Sequence, residues 1–143
     1  MQAKKVKNKA DLEKVFDIRK KVFIKEQGVD VDDEFDKYDT LASNSEHILV
    51  YYQNKAVGTG RLKIIDDTAK LERICVLKEY REYGLGKSIV KKLEEIAKNK
   101  GAKKAKLHGQ TQARKFYEKS GYNKSSEEFM EDGIPHYLMI KKL

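Results

Sequence analysis

The sequence predicts a mixed α/β (α+β) fold, a central β-sheet flanked by helices with a β-α-β unit at its middle, and three observations lead there. Strand patterns fill the first half after one N-terminal helix, the hydrophobic period changes from two to about 3.6 at Leu85, and a short strand follows the resulting helix directly. At 143 residues and 39% hydrophobic content, the chain is in the size range that buries its own core, so residues 1–143 read as a single domain. One proline, Pro135, and the lack of any Ser/Gly-rich stretch or internal repeat leave no candidate linker.

Each element has its own signal. Asn8 is a plausible N-cap, and apolar residues at Leu12, Val15, Phe16 and Phe23 predict a helix from about Lys9 to Phe23. The acidic stretch KEQGVDVDDEFDKYDT lacks helical periodicity and reads as an ordered loop or a short helical turn. His47–Gln53, an Asn54-Lys55 turn and Ala56–Ile65 predict a hairpin, extended after Asp66-Asp67-Thr68 by a strand over Lys70–Val76. Leu85, Ile89, Leu93 and Ile96–Ala97 share one face of a helix ending near Asn99, with Gly101 available for a left-handed C-terminal position. A strand over Ala102–Leu107, a helix from about Gln112 to Lys119 closed by Ser120-Gly121, and strands near Tyr122–Phe129 and His136–Leu143 complete the chain.

Composition narrows the function classes. The single cysteine, Cys75, has no internal partner for a disulfide, and a free thiol suits a reducing compartment, so a cytoplasmic location is expected. No apolar run approaches the roughly 20 residues that span a bilayer, and MQAKKVKNKADLEKVF does not resemble a signal peptide. The formal charge of +8 invites a polyanion. The lysines, however, are dispersed among 23 acids and not interleaved with aromatics, a solvated surface rather than a nucleic-acid groove.

The segment ICVLKEYREYGLGKSIV sets a strand, a short connection, R-x-x-G-x-G and an amphipathic helix in sequence. A helix N-terminus offers about four unpaired N–H groups and a partial positive charge to an anion. Gly84 and Gly86 let the backbone approach phosphate oxygens closely, and Arg81, with Lys87 and Ser88, can add contacts. Other glycine loops fail on the letters. A P-loop ending in Gly86-Lys87-Ser88 needs glycine where Arg81 stands, and dinucleotide fingerprints starting at Gly84 or Gly58 need it where Ile89 or Lys63 stands. Taken alone, R-x-x-G-x-G also fits a turn that merely caps a helix.

Two segments in this context resemble the GNAT superfamily of acyl-CoA-dependent N-acetyltransferases. One is the R-x-x-G-x-G loop after the strand Leu71–Val76; the other is ARKFYEKSGY, Ala113–Tyr122, with Tyr122 in place of the family's usual Phe. VFIKEQGVDVDDEFDKYD and DGIPHYLM further resemble the ElaA-like and YjcF-like bacterial branch. The resemblance implies about six to seven strands with a splayed pair and acetyl-CoA as co-substrate with no metal. It also implies backbone contacts to the pantetheine arm from Ile74, Cys75 and Val76. The pyrophosphate loop would be Arg81, Glu82, Tyr83, Gly84, Leu85, Gly86, Lys87 and Ser88, with Ala113, Phe116 and Tyr117 completing the cofactor site. Tyr117 stands where the family's tyrosine serves the departing thiolate; a core tyrosine beside Phe116 is the plain alternative.

Transfer to an amine also needs a proton acceptor, because an alkylammonium titrates near ~10. The candidates are Glu72, His108, Glu26 and His136; Glu72, on the strand beside the acetyl group, is the first choice, and His108 ends the next strand, while both types also occur as solvated surface groups. Glu26, Gln27, Asp36, Asp39 and His136 are candidates for an acceptor wall that attracts an amine, the alternative being an acidic loop that balances the basic surface. Cys75 reads as a small buried hydrophobe rather than an acyl carrier. The expected partner is a small-molecule or peptide amine, taken by a monomer or homodimer; a CoA-binding regulatory or interaction module without transfer activity is the alternative.

Overall fold

A computed structural model describes residues 1–143. Its strands are β1 (Gln2–Lys5), β2 (Ser45–Tyr52), β3 (Lys55–Ile65), β4 (Thr68–Val76), β5 (Lys104–Gln110), β6 (Asn123–Lys124), β7 (Phe129–Glu131) and β8 (Ile134–Lys142). They form one eight-stranded sheet in the order β1-β2-β3-β4-β5-β8-β6, with β7 paired to β8. The helices are α1 (Lys9–Arg19), α2 (Val31–Glu34), α3 (Leu85–Asn99) and α4 (Arg114–Lys119). The mixed α+β architecture thus stands, with more strands than the six to seven expected.

The differences have local causes. Strand β1 was not anticipated because QAKK carries no apolar alternation; it exists by pairing antiparallel with β2. Helix α1 starts where Asn8 caps it, Asn8 Oδ1 accepting from Asp11 N–H at 2.8 Å, but continues past Phe23 as a wider π-helical segment, Lys20–Glu26. The first hairpin turns one residue earlier than expected, at Gln53-Asn54, both at positive φ, so Lys55 is already in β3. The single strand expected near Tyr122–Phe129 is two short strands, β6 and β7, and β5 lies two to three residues later than the expected Ala102–Leu107.

Two helices cover opposite faces of the sheet. The Leu85, Ile89, Leu93, Ile96 and Ala97 face of α3 is buried as the period predicted, and it lies on the face where β3 carries Gly58 and Gly60. A Cβ on Gly60 would lie 2.8 Å from Ile89 and 2.9 Å from Leu93, so α3 sits directly on backbone. Arg61, the next residue along, points to the other face, toward α1. Tyr122, the departure from the usual Phe, is buried with its hydroxyl donating to Glu94 Oε2 at 2.8 Å.

Two features of β4 position the site. Its ladder with β5 is parallel and stops at Leu71↔Leu107, so Glu72–Val76 have no strand partner on that side. On the β3 side, Thr59 pairs with Cys75 and Arg61 with Glu72, so Gly60 alone faces both Arg73 and Ile74 in a β-bulge with Arg73 at φ +53°.

The tight α3–β3 approach is testable by Gly58→Ala, whose Cβ would come 2.6 Å from Val50 Cγ1, 3.1 Å from Ile89 Cδ1 and 3.2 Å from the Cys75 carbonyl. Overpacking of this kind costs about 1–3 kcal/mol. The expected outcome is a lower urea midpoint with an unchanged m-value; an unchanged midpoint contradicts the packing described.

Candidate active site

Where β4 and β5 part, a cleft of about 300 Å³ passes between them, walled by Ile74, Cys75 and Val76 on one side and by Leu107, His108 and Gln110 on the other. The two faces of the sheet contribute different chemistry. Gly109 faces α4, where a Cβ would meet the Tyr117 ring at 3.0 Å; Gln110, one residue on, reaches the other way to Gln27 at 2.9 Å. Tyr117 therefore approaches the cleft from the α3–α4 face, and Gln27 and Gln110 from the α1 face.

On the first face, α3 begins at Gly84, which sits at φ +70° and leaves the helix with no side-chain cap. Its leading amides are free to meet an anion. Gly86 packs against the Phe116 ring, where a Cβ would come to 3.3 Å, and Phe116 meets Tyr117 edge-on at 5.0 Å. The Tyr117 side chain is buried and burial pushes its phenol up; no hydrogen bond contributes to that shift. The phenol therefore stays protonated with its O–H available. Burial likewise pushes the Cys75 thiol up, which keeps it protonated and unreactive.

Several loop residues sit differently from the expectation. Leu85 is core and can offer only its backbone; Tyr83 stacks on Tyr52 at 4.5 Å, away from the cleft; Glu82 and Lys87 are exposed. Ser88 Oγ donates back to the Gly84 carbonyl at 3.5 Å, and Ala113 lines the cleft. Arg81 holds the loop in place: Nε donates to the Val76 carbonyl at 3.0 Å, and its two terminal nitrogens donate to Glu26 at 2.6 Å each. That fork is what lowers the Glu26 carboxyl. Glu26 is thus tied to Arg81 beside the head of α3, carried there by the π-helical extension, and is not set in one wall with the acids of the 30–40 loop.

Asp36 and Asp39 need a correction too. Arg61, 1% exposed, binds Asp36 at 2.8 Å, Asp39 at 3.0 Å and Glu72 at 2.6 Å. Arg19, fully buried, binds Glu34 at 2.8 Å and also Asp39. Burial alone would raise the Asp36 and Asp39 carboxyls, but Arg61 and Arg19 outweigh it and hold both below their usual range. They tie the 30–40 loop to the sheet, and both carboxylates are neutralised by buried guanidinium groups. Glu72 is in the same position, since burial raises it but Arg61, Lys70 and Lys63 together lower it. A carboxylate so paired is a weak proton acceptor.

The rest of the α1-face wall of the cleft includes a pair of histidines. His108 Nδ1 lies 2.8 Å from Glu131 Oε1, and His136 Nδ1 donates to the Ile134 carbonyl at 2.7 Å; His108, Glu131, Asp132 and His136 all line the cleft. Glu131 and Asp132 were missed by sequence reading. Asp132-Gly133, both at positive φ, is the hairpin signal inside FMEDGIPHY that could have located them. No group of three or more His, Cys, Asp or Glu side chains is arranged to hold a metal ion, and no helix is long and apolar enough to cross a membrane.

The comparisons agree with this geometry. The family model described as "Acetyltransferase (GNAT) domain" matches residues 7–143. The chain belongs to the GNAT acetyltransferase family. It is 47% identical over 142 residues to the "Uncharacterized N-acetyltransferase YjcF" of Bacillus subtilis, covering 99% of both chains, which places it in the YjcF-like branch. A Lactobacillus plantarum protein assigned to the N-acetyltransferases superposes with a TM-score of 0.90 at 30% identity, covering 99% of this chain and 97% of that one. The PaiA N-acetyltransferase of Thermoplasma acidophilum, solved in complex with coenzyme A, shares the fold with a TM-score of 0.74 at 21% identity over the whole of both chains.

The ion-pair network gives two predictions. Asp39→Ala leaves two buried guanidinium groups short of a partner and should cost about 3–5 kcal/mol, read as a fall in urea midpoint; a loss under 1 kcal/mol would mean the network is loosely held. Acid stability should fall in two stages. His47 is buried neutral, with burial lowering its imidazole and its Nδ1 left without a partner. Unfolding lets it bind a proton, so stability declines as pH drops through the ordinary imidazole value near 6.5. Asp36, Asp39 and Glu72 add a second loss below about 4, which Glu34, raised by burial, partly opposes. His47→Gln should flatten the first stage in denaturation curves at pH 7 and 5.5; an unaltered slope contradicts the assignment.

Proposed function

We propose that this GNAT domain moves an acetyl group from acetyl-CoA to a primary amine by direct transfer in a ternary complex. The observation that carries the reading is the parting of β4 from β5, which opens a slot through the sheet. At one end lie the uncapped amides of α3, and at the other the His108 side. The residues fit the co-substrate. The Gly84–Ser88 amides suit a diphosphate, the open edge of Ile74–Val76 suits the amide-bearing pantetheine arm, and the Tyr117 hydroxyl is free to meet the sulfur. The bound coenzyme in the Thermoplasma relative supports the same choice.

Acetyl-CoA supplies an activated thioester. The chain's own groups do the rest. A backbone N–H near Val76, on the edge that β5 leaves open, stabilises charge on the carbonyl oxygen in this reading, and Tyr117 donates its proton to the departing thiolate. The base is His108 in preference to Glu72, because Glu72 is spent on three cations while His108 contacts no cation and lines the cleft. Cys75, protonated by burial, carries no acyl group, which favours a single direct step.

The reading is tested by incubating the protein with acetyl-CoA and a panel of amines covering polyamines, amino sugars, amino acids and lysyl peptides, and following free thiol. Release that depends on one amine class supports it; tight CoA binding without release under any acceptor points to a binding module instead. Tyr117→Phe should lower kcat about 10²-fold or more with acetyl-CoA affinity unchanged. Gly84→Asp, with nothing within 4 Å of its Cβ but at φ +70°, should cost only about 1–2 kcal/mol of stability while abolishing calorimetric CoA binding, a folded circular-dichroism spectrum showing that the loss is not unfolding. Retained tight binding would remove the loop from the account.

A further inference from the structure

The acceptor side of the cleft carries an arrangement that the transfer reading has not used. Residue Glu131 ends β7, and the tight turn at Asp132-Gly133 folds β8 back so that Phe129 pairs with His136 and Glu131 with Ile134. Strand β8 in turn pairs with β5, bringing Gln110 opposite His136 and Leu138 opposite His108. The Glu131 carboxylate is thereby placed between two imidazoles, 2.8 Å from His108 Nδ1 and 3.7 Å from His136 Nε2. Phe129 separates the rings, edge-on to His108 at 5.1 Å and nearly parallel to His136 at 6.1 Å.

We propose that Glu131 is the positioning residue for His108: it accepts the Nδ1 proton and so leaves Nε2 as the basic nitrogen presented to the acceptor amine. This rests on the transfer reading above. The chemistry of the donors fixes the direction. An ionised carboxylate only accepts, so the nitrogen beside it carries the proton, and in a neutral imidazole the other nitrogen then holds the lone pair. Nε2 of His108 has no protein partner, and the side chain lines the cleft. His136 is tied differently. A backbone carbonyl also only accepts, so His136 Nδ1 holds its proton against Ile134 at 2.7 Å; its Nε2, 3.7 Å from the far oxygen of Glu131, carries no proton when the ring is neutral, and Glu131 is left to serve His108.

In turnover, one proton passes from the acceptor ammonium to His108 Nε2 before attack, and the resulting imidazolium is balanced by Glu131 until it releases the proton to solvent. The second nitrogen proton passes to solvent water as the C–N bond is completed and the C–S bond breaks; the thiolate takes a proton from Tyr117, and the tyrosinate recovers one from solvent, so the amine's second proton balances the one delivered to sulfur. Besides Glu131 and His136, the charged groups around His108 are Lys70, Glu72 and Arg73 on β4 and Asp132 at the turn. The first three are engaged with one another or with the 30–40 loop, so Glu131 is the carboxylate that addresses the ring.

The test reads the tautomer directly. Two-bond proton–nitrogen correlation spectra of histidine-labelled full-length protein, at a pH where imidazoles are neutral, should show His108 as the Nδ1–H form. In Glu131→Ala it should revert to the Nε2–H form favoured by free imidazole; Glu131→Gln guards against a folding defect. Glu131→Gln keeps an acceptor oxygen and should keep the Nδ1–H form; an Nε2–H form in the wild type, or no change in Glu131→Ala, overturns the proposal. With whichever amine releases thiol in the panel, Glu131→Ala should lower kcat/KM by about 10- to 100-fold, as loss of a histidine's orienting partner does. It should have no further effect in a His108→Ala background; an equal loss in both backgrounds also overturns it. If no amine releases thiol, the transfer reading fails while the spectra still decide what Glu131 does.

Discussion

The parting of β4 from β5 beyond Leu71 and Leu107 is the constraint on which the site depends. A parallel pair that stayed zipped would seal the sheet and leave no path between its faces. The bulge at Arg73 and Ile74 falls just beyond the last β4–β5 pair and re-aims the second half of β4 away from β5. A non-glycine residue at φ +53° is strained, and Arg73 is held there by its guanidinium, which donates to the Glu34 carbonyl at 3.0 and 3.2 Å. The loop on the α1 face and the slot between the strands are therefore one mechanical unit.

Electrostatics follow from the same unit. A chain with a net charge of +8 places its two most buried arginines, Arg19 and Arg61, behind the cleft and gathers Glu34, Asp36, Asp39 and Glu72 around them. The acids that look available in the linear sequence are consumed there. The cleft wall opposite β4 is left with the amides of Gln27 and Gln110, two histidines and the Glu131-Asp132 turn. Arg81 and Glu26 repeat the theme at the other end, where a carboxylate occupies the guanidinium beside the anion-binding amides.

Local signals were legible and long-range ones were not. The α3 boundaries, the Asn8 cap, the β2–β3 hairpin and the glycine loop are each specified by residues within one or two turns of each other, and apolar periodicity together with capping, turn and glycine residues identified them. Glu72 illustrates the limit. Its place on β4 is readable from KLERICV, but its partner Arg61 is brought beside it by register across the hairpin, and Asp36 arrives from 25 residues before Arg61. Glu131 was missed for the same reason, since only the pairing of β5, β8 and β7 brings it to His108.

A crystal structure with coenzyme A bound tests the central claim most directly. The account predicts the pantetheine arm lying in the slot along Ile74–Val76, its sulfur beside the Tyr117 hydroxyl, and the diphosphate on the amides that open α3. Coenzyme A seated anywhere else, or a β4–β5 ladder zipped shut beyond Leu71 and Leu107, would contradict it.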